Sequence, residues 1–268
     1  MEKQKICIIG GGLTGLITAI ALSKLNLKVD IITDNIKKNL KSNRSVAISQ
    51  ENYNFLKNLN IFKFYSKVFW PCSKIQLYTN SKKKKHEKIF QFNKEKNPKK
   101  NILYIAENSK IMQNMIKYIK KNKLISFKIK KEISEIVSSG LLKGLGNNKK
   151  FGSKYNLIII CTGGNSKLVK NIFNEKPFKY SYKEISITTK LCHNPIKNNI
   201  ARQIFMDKEI LALLPISNKK TSIVWSVDKK IMEKYESKGN LFLKNKIKFY
   251  TKNFLKNMKF SNNIEKKE

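Results

Sequence analysis

An apolar run, Ile6-Cys7-Ile8-Ile9, passes directly into Gly10-Gly11-Gly12-Leu13-Thr14-Gly15, and no other feature of the chain narrows its fold so far. Four such residues suit a parallel strand buried on both faces. Leu16 to Leu25 reads as a helix with Ala19, Ala21 and Leu22 close to a sheet. Leu27 to Thr33 reads as a second strand, with Asp34 at its end. The glycines satisfy G-x-G-x-x-G, and the acid follows about 20 residues later; strand, glycines, helix, strand and acid together form the dinucleotide-binding fingerprint. Each part has a task. Gly10 permits the tight turn out of the strand, Gly12 lets a pyrophosphate approach the backbone, and Gly15 lets helix and strand pack closely. The helix start, with Leu13 and Thr14, offers unpaired N–H groups and a positive dipole end to phosphates. Asp34 is placed to accept hydrogen bonds from a ribose diol.

The same segment has a competing reading. Ile6 to Ser23 carries no charge, follows Lys3 and Lys5, and contains Ala19-Ile20-Ala21, as a secretory signal would. Three consecutive glycines in its middle, and its smooth continuation into Leu27–Thr33, argue for the nucleotide fold instead. No other stretch approaches the roughly 20 apolar residues of a membrane helix.

Composition sets outer bounds. The chain has 268 residues, 41 % of them hydrophobic, which is enough for a real core and excludes wholesale disorder. Cys7, Cys72, Cys161 and Cys192 are isolated, with no Cys-x-x-Cys and no His/Cys cluster, so neither a disulfide framework nor a structural metal is expected. Lys and Arg total 56 against 18 acids, a net charge of +38, yet Arg44 and Arg202 are the only arginines. Specific nucleic-acid surfaces favour arginine, whose planar fork fits phosphates and base edges. Lysines scattered among Asn and Ile along the whole chain match compositional drift in an AT-rich genome, so no specific nucleic-acid partner is expected. Weak attraction to anionic surfaces follows from the charge itself.

Further along, Gln50 to Leu59 reads as a helix. Arg44 lies just before it, in Ser42-Asn43-Arg44-Ser45-Val46-Ala47-Ile48, either as a helix-flanking surface charge or as a group aimed at the cofactor. Lys74–Tyr78 and Lys88–Phe92 alternate like strands around Lys82-Lys83-Lys84-Lys85-His86, which reads as a solvated hairpin tip with His86 on the surface. Ser109 to Lys121 reads as a helix capped by Ser109, with Ile111, Met112, Met115, Ile116 and Ile119 inward. Short strands are expected near Ile125–Ile129 and Ile133–Val137, then a Gly/Asn/Lys turn region over Gly140–Ser153. Leu157–Cys161 is another buried parallel-type run, ending in Thr162-Gly163-Gly164. Ile185–Leu191, Arg202–Met206, Ile210–Pro215 and Thr221–Val227 look like an antiparallel sheet, and Leu241–Met258 like a helix. His193 at a strand end reads as structural. The fold class is therefore α/β, a Rossmann-like nucleotide-binding domain (1–72 and 102–175) interleaved with a β-rich domain (73–101 and 176–258), with a polar tail at 259–268.

Three segments together resemble a known family. Ile6–Thr33, Arg44-Ser-Val-Ala-Ile-Ser, and Arg202-Gln-Ile-Phe through Leu211-Ala-Leu-Leu-Pro215 with Ser222-Ile-Val-Trp225 are similar to the flavin hydroxylases of ubiquinone biosynthesis, within the p-hydroxybenzoate hydroxylase class. The glycine motif is shared by many flavoproteins; the Leu-Ala-Leu-Leu-Pro and Ser-Ile-Val-Trp segments are far more specific. The resemblance implies an FAD-dependent monooxygenase that uses NADPH or NADH and O2 to hydroxylate the ring of a prenylated phenol. It implies FAD contacts from Gly10, Gly12, Leu13, Thr14 and Gly15, a flavin-side contact from Arg44, and a second nucleotide contact at Gly163. A cytoplasmic protein peripheral at the inner membrane face is implied too, with other ubiquinone-biosynthesis enzymes as partners, because such phenols are nearly insoluble. No metal and no catalytic acid or base is indicated.

Three departures accompany it. The family's second strand ends in Glu where Thr33 stands here, with Asp34 next to it. Thr162-Gly163 replaces the family's Asp-Gly. The Gly-Asp-Ala-type motif that follows the substrate sheet in the family is not found before Glu268, so the chain reads as the first two thirds of such an enzyme, truncated or split. Two alternatives stay open: a non-catalytic remnant or subunit of the same fold that no longer binds flavin productively, and a flavin-dependent reductase.

Overall fold

In the computed structural model the chain divides into two units, Met1–Ser42, Leu56–Lys63 and Asn108–Lys179 in one, Asn43–Phe55, Phe64–Glu107 and Tyr180–Glu268 in the other. The structure describes residues 4–36, 40, 42–62, 65–80, 86–93, 101–129, 133, 135–147, 150–163, 166, 168–170 and 180–267. In chain order the elements begin with β1 (Lys5–Ile9), α1 (Leu13–Lys24), β2 (Lys28–Thr33), β3 (Ser45–Ser49), α2 (Gln50–Asn58) and α3 (Tyr65–Val68). There follow β4 (Phe69–Cys72), β5 (Lys74–Asn80), β6 (His86–Asn93), β7 (Leu103–Glu107), α4 (Asn108–Lys121) and β8 (Ile125–Ile129). Next come β9 (Glu135–Ser139), β10 (Leu142–Asn147), β11 (Lys150–Tyr155), β12 (Leu157–Ile160), β13 (Glu184–Cys192) and β14 (Ile200–Met206). The last are β15 (Glu209–Ser217), β16 (Lys220–Asp228), α5 (Lys229–Glu236), α6 (Gly239–Thr251), β17 (Lys259–Phe260) and β18 (Glu265–Lys267).

The first unit holds a four-stranded sheet in the order β12-β1-β2-β8, all its pairs parallel. Central β1 is apolar because both its faces are covered: Ile6, Cys7, Ile8 and Ile9 are all buried. Leu16, Ala19 and Ile20 of α1 are buried as well, and α4 buries all five apolar positions that the sequence spacing picks out. Asn122 just beyond α4 donates through Nδ2 to Ser23 Oγ at 3.0 Å, which ties the ends of the two helices together.

One buried charge in this sheet escapes sequence reasoning. Asp30 stands in the middle of β2, opposite Cys7, and is 6 % exposed. Its carboxylate accepts from Ser126 Oγ at 2.5 Å and Tyr155 Oη at 2.9 Å, and pairs with Lys128 at 2.7 Å and Lys5 at 3.4 Å. Burial opposes its ionisation, but the hydrogen bonds from Lys128, Ser126 and Tyr155 outweigh that and hold the carboxyl below its ordinary value of 3.8. Burial, reinforced by the Asp30 charge, pushes the Cys7 thiol up to about 12, so it stays protonated and inert.

The second unit holds an eight-stranded sheet in the order β17-β13-β16-β15-β14-β5-β6, with β18 also pairing β13. β14 and β5 run parallel and the other pairs antiparallel. Alternation sorts its side chains: Ile187, Ile204, Leu211, Leu213, Ile223 and Trp225 share one core with Met232 of α5 and Leu243 and Ile247 of α6. A second core joins Ile75, Ala201, Leu214 and Ile216 to Cys72, Leu103 and Ile105 of the small β3-β7-β4 sheet.

The structure corrects several expectations. Gly140–Ser153 is no plain turn, since β10 pairs with both β9 and β11 as an antiparallel meander; backbone pairing tolerates the glycines there. The polar tail at 259–268 forms β17 and β18 on the edge of β13, held by main-chain pairing and by Phe260 and Ile264, which pack against the core. The last helix stops at Thr251, whose hydroxyl bonds back to Ile247 O at 2.8 Å, and Asn257 beyond it has φ +53°. α4 starts one residue before Ser109, so that serine is not its cap. α5 appears unheralded, capped by Asp228, whose Oδ1 accepts from Lys230 N and Ile231 N. His86 is anchored, its Nε2 2.8 Å from Tyr250 O and its ring stacked on Phe254. His193 is structural, bridging Asn194 O and Thr221 Oγ1. Residues 43–55, 64–72 and 102–107 belong to the β-rich unit, because β3, β4 and β7 pair with one another. The run Lys82–Lys85 lies outside the described residues.

Asp30→Asn should lower the unfolding free energy by about 2 kcal/mol at pH 7, measured by urea denaturation. With its pKa depressed in the folded state, the wild-type advantage is complete above about pH 4 and fades as pH falls through the folded value. An advantage undiminished at pH 2 would contradict this assignment.

Candidate cofactor site

The glycine loop is built by steric exclusion. Gly10 leaves β1 at φ +121°, a conformation that L side chains rarely adopt, and a Cβ there would lie 2.3 Å from Cys161 O. A Cβ on Gly15 would lie 2.0 Å from Gly10 O. The Gly10 amide donates to Ile32 O at 2.8 Å and the Cys161 amide to Ile9 O at 2.7 Å, so the turn is fixed to both strands that flank β1. Gly11 has its own steric reason, absent from the sequence motif: a Cβ there would come within 2.8 Å of Thr33 Oγ1.

Gly12 is different. It is the N-cap of α1 with extended backbone (φ −78°, ψ 179°), and a Cβ there would meet nothing within 4 Å. Space alone does not demand glycine at this position, so the open volume beside it is where a ligand can approach the main chain. Leu16 N makes the helix's first bond, to Gly12 O. The N–H groups of Leu13, Thr14 and Gly15 therefore have no partner within the helix, Gly12 supplies no side-chain cap, and no acid occupies the first turn. An anion that accepted these donors would also meet the positive end of the helix dipole.

Asp34 closes β2 beside this loop. It is exposed, and its Oδ1 accepts from Asn35 N at 2.8 Å and from Thr33 Oγ1 at 3.5 Å. Thr33, the strand's last residue, is buried and carries a hydroxyl, so the acid at this end of the sheet is Asp34. On the other flank, β12 leads into Cys161-Thr162-Gly163. Gly163 has φ +78°, and among the described residues a Cβ there would meet nothing within 4 Å and Thr162 Oγ1 is buried with no hydrogen-bond partner. Burial raises the Cys161 thiol, with a smaller opposing contribution from its bond to Thr18.

The loop residues Gly10, Gly12, Leu13, Thr14 and Gly15, with Asp34 and Gly163, thus all fall in the first unit, at the ends of β1, β2 and β12. Arg44 falls in the second, one residue before β3. Sequence reasoning missed Gly11, whose only signal is that it is the middle one of three consecutive glycines, and Thr162 as a buried hydroxyl with no partner among the described residues. For FAD the fit is good where the diphosphate and ribose would lie: among the described residues, open space at Gly12 and amides with no partner in the helix, and an exposed acid at the second strand's end.

No family model and no curated protein matches this sequence. Solved structures do. p-Nitrophenol 4-monooxygenase PnpA from Pseudomonas putida DLL-E4 superposes with a TM-score of 0.74 at 12 % identity, over 99 % of this chain and 68 % of its own. Pseudomonas aeruginosa PqsL in complex with 2-aminobenzoylacetate gives 0.75 at 10 % identity, over 97 % and 74 %. Klebsiella pneumoniae HpxO complexed with FAD gives 0.66 at 13 % identity, over 84 % and 57 %. The fold is therefore that of FAD-dependent monooxygenases, and the chain spans roughly half to three quarters of the length of the structures it resembles.

Two glycine variants separate the two kinds of constraint. Gly10→Ala should destabilise the fold by about 2 kcal/mol or more, from strain and overlap. Gly12→Ala should cost within about 1 kcal/mol, yet weaken FAD at least tenfold, read by flavin fluorescence titration. Equal FAD affinity in Gly12→Ala and wild type would remove the diphosphate from this loop.

Proposed function

We propose that this chain binds FAD and serves an aromatic-ring monooxygenase that hydroxylates a prenylated phenol in ubiquinone biosynthesis. NADPH or NADH would be the reductant and O2 the oxygen donor. One oxygen atom enters the ring as a hydroxyl and the other leaves as water, with the two electrons of the balance drawn from the nicotinamide. The observation that carries the reading is the glycine loop, with open space at Gly12 above three unpaired amides, in a fold shared with a structure that holds FAD. The choice of a prenylated phenol rests on the Leu211–Pro215 and Ser222–Trp225 segments.

Bound FAD supplies the redox chemistry and the activation of O2. This chain's residues supply position. The amides of Leu13, Thr14 and Gly15 hold the diphosphate, Asp34 accepts from the ribose, and Gly163 leaves room on the other flank. By the resemblance, Arg44 would contact the flavin side. The substrate reaches the enzyme from a membrane surface without the chain spanning it; among the described residues no helix is long and apolar enough to cross one.

A second reading, a non-catalytic subunit or remnant, draws on a specific observation. Thr162 stands where the resembled enzymes carry an acid, and its hydroxyl is buried with no partner among the described residues. That leaves one expected nucleotide contact unmade. The two readings part on binding.

Purified protein given FAD should turn yellow at one flavin per chain, and Asp34→Asn should weaken that binding about tenfold through the lost charged acceptor. With reductant and a short-chain prenylated phenol, label from 18O2 should appear in the product ring. No flavin binding would favour the subunit reading and end both the oxygenase reading and the role of Asp34, and flavin binding without label would end the hydroxylase assignment.

A further inference from the structure

The outer helical layer of the β-rich unit carries a surface that the flavin reading does not use. From Lys238 to Lys259 the chain contains seven lysines and no acid. α6 runs through this stretch. Its inward stripe, Leu243, Ile247 and Thr251, is buried. Its outward stripe is Leu241, Asn245, Lys248, Phe249 and Lys252, at spacings of four, seven, eight and eleven residues that keep one face. Leu241 is 71 % exposed and Phe249 48 % exposed, about 12 Å apart along the helix. Two large apolar groups thus stand in water on a helix that already buries a separate apolar stripe.

At the first turn of this helix the charge works against its dipole, and at the last turn Lys248 works with it. Lys238 is the N-cap, makes no side-chain cap bond, and no acid occupies the first turn. A cation at this end opposes the dipole, where an acid would stabilise it. The lysine side chains also lie along the aromatic rings: Lys252 Nζ sits 4.3 Å from the Phe249 ring centroid and Lys238 Nζ 5.0 Å from that of Phe242. Such stems can cover apolar surface while the ammonium groups reach a charged plane beyond it.

We propose that the outward face of α6 docks on an anionic lipid bilayer, with Leu241 and Phe249 seated at the boundary of headgroups and acyl chains and Lys238, Lys248 and Lys252 on the lipid phosphates. An amphipathic helix lying in the interface uses this combination, apolar groups for insertion and flanking lysines for attraction to anionic headgroups. Nucleic acid would be served by arginine forks, and this face has none. The inference deepens the reading of a lipid-borne substrate, since it says which surface meets the membrane. Its test needs neither flavin nor substrate, so either reading can fail alone.

The full chain without FAD is sedimented with phosphatidylcholine vesicles that contain phosphatidylglycerol, and with phosphatidylcholine alone. Binding is expected only to the anionic vesicles and should fall as salt is raised. Leu241→Ser with Phe249→Ser should weaken it about tenfold, and Lys248→Gln with Lys252→Gln about tenfold or more. Lys117→Gln with Lys120→Gln, an exposed pair on α4 in the other unit, should change it by less than about twofold. All four side chains altered on α6 are exposed, so unfolding midpoints should not move. Three results would overturn the proposal: no binding to anionic vesicles, equal losses from the α6 and α4 lysine pairs, or insensitivity to the Leu241 and Phe249 changes. So would single-stranded RNA that binds more tightly than vesicles through the same α6 residues.

Discussion

Three backbone segments approach one another closer than any side chain would allow, and the first unit depends on that approach. Gly10 O lies where a Cβ of Gly15 would be, and Cys161 O lies where a Cβ of Gly10 would be. Together these fix the entry of α1 over β1 and the exit of β12 beside it. The helix then starts with its unpaired amides at the ends of three parallel strands, where open α/β sheets offer a crevice. Gly12 differs from Gly10, Gly11 and Gly15 in that a Cβ there would meet nothing within 4 Å among the described residues. A loop that is closed at Gly10, Gly11 and Gly15 and open at Gly12 leaves the main chain accessible at one point, next to an exposed carboxylate at Asp34.

Charge inside the two units is handled by enclosure in hydrogen bonds. Asp30 is held by a hydroxyl, a phenol and two ammonium groups in the first. In the second, buried Glu209 accepts from Trp225 Nε1 at 3.1 Å and from Tyr235 Oη, with Lys246 at 3.9 Å. Burial and then the bond to Glu209 raise the Tyr235 phenol, so it stays a donor throughout the ordinary pH range. This carboxylate links β15 and β16 to both α5 and α6, the helices that complete the core of the large sheet. Few acids are available in so basic a chain, and these two are spent in the interior. The lysines mostly remain on the surface, where their charge is solvated and their stems cover apolar neighbours.

Elements with a strong period were legible in the sequence. β1, β2 and β12 were marked by apolar runs, α4 by five apolar residues at helical spacing, and β13 to β16 by alternation. The elements that went unread lack side-chain signals. β10 contains two glycines and β11 opens with a lysine, yet both form because main-chain donors there need partners. β17 and β18 are two- and three-residue strands completing an edge, too short for alternation to show. α5 has only two turns and a buried Met232, too little for a period to show. At the site, the glycines that close the loop and the acid at the strand's end were readable from spacing. Gly11 and Thr162 were not, because their roles arise from contacts with Thr33 and from burial, which spacing cannot encode. The unit boundary shifted for a related reason: β3, β4 and β7 pair across long sequence separations, and strand pairing at such range has no local mark.

The central claim is that unpaired main-chain amides at the start of α1 hold a diphosphate. It is tested most directly by comparing FAD with riboflavin, which carries the same ring system without phosphates, in calorimetric titrations of the unmodified chain. The account predicts saturable binding of FAD at one per chain, with riboflavin at least a hundredfold weaker, because the phosphate contacts are worth about 3 kcal/mol or more. Equal affinities for the two, or heat from neither, would contradict it.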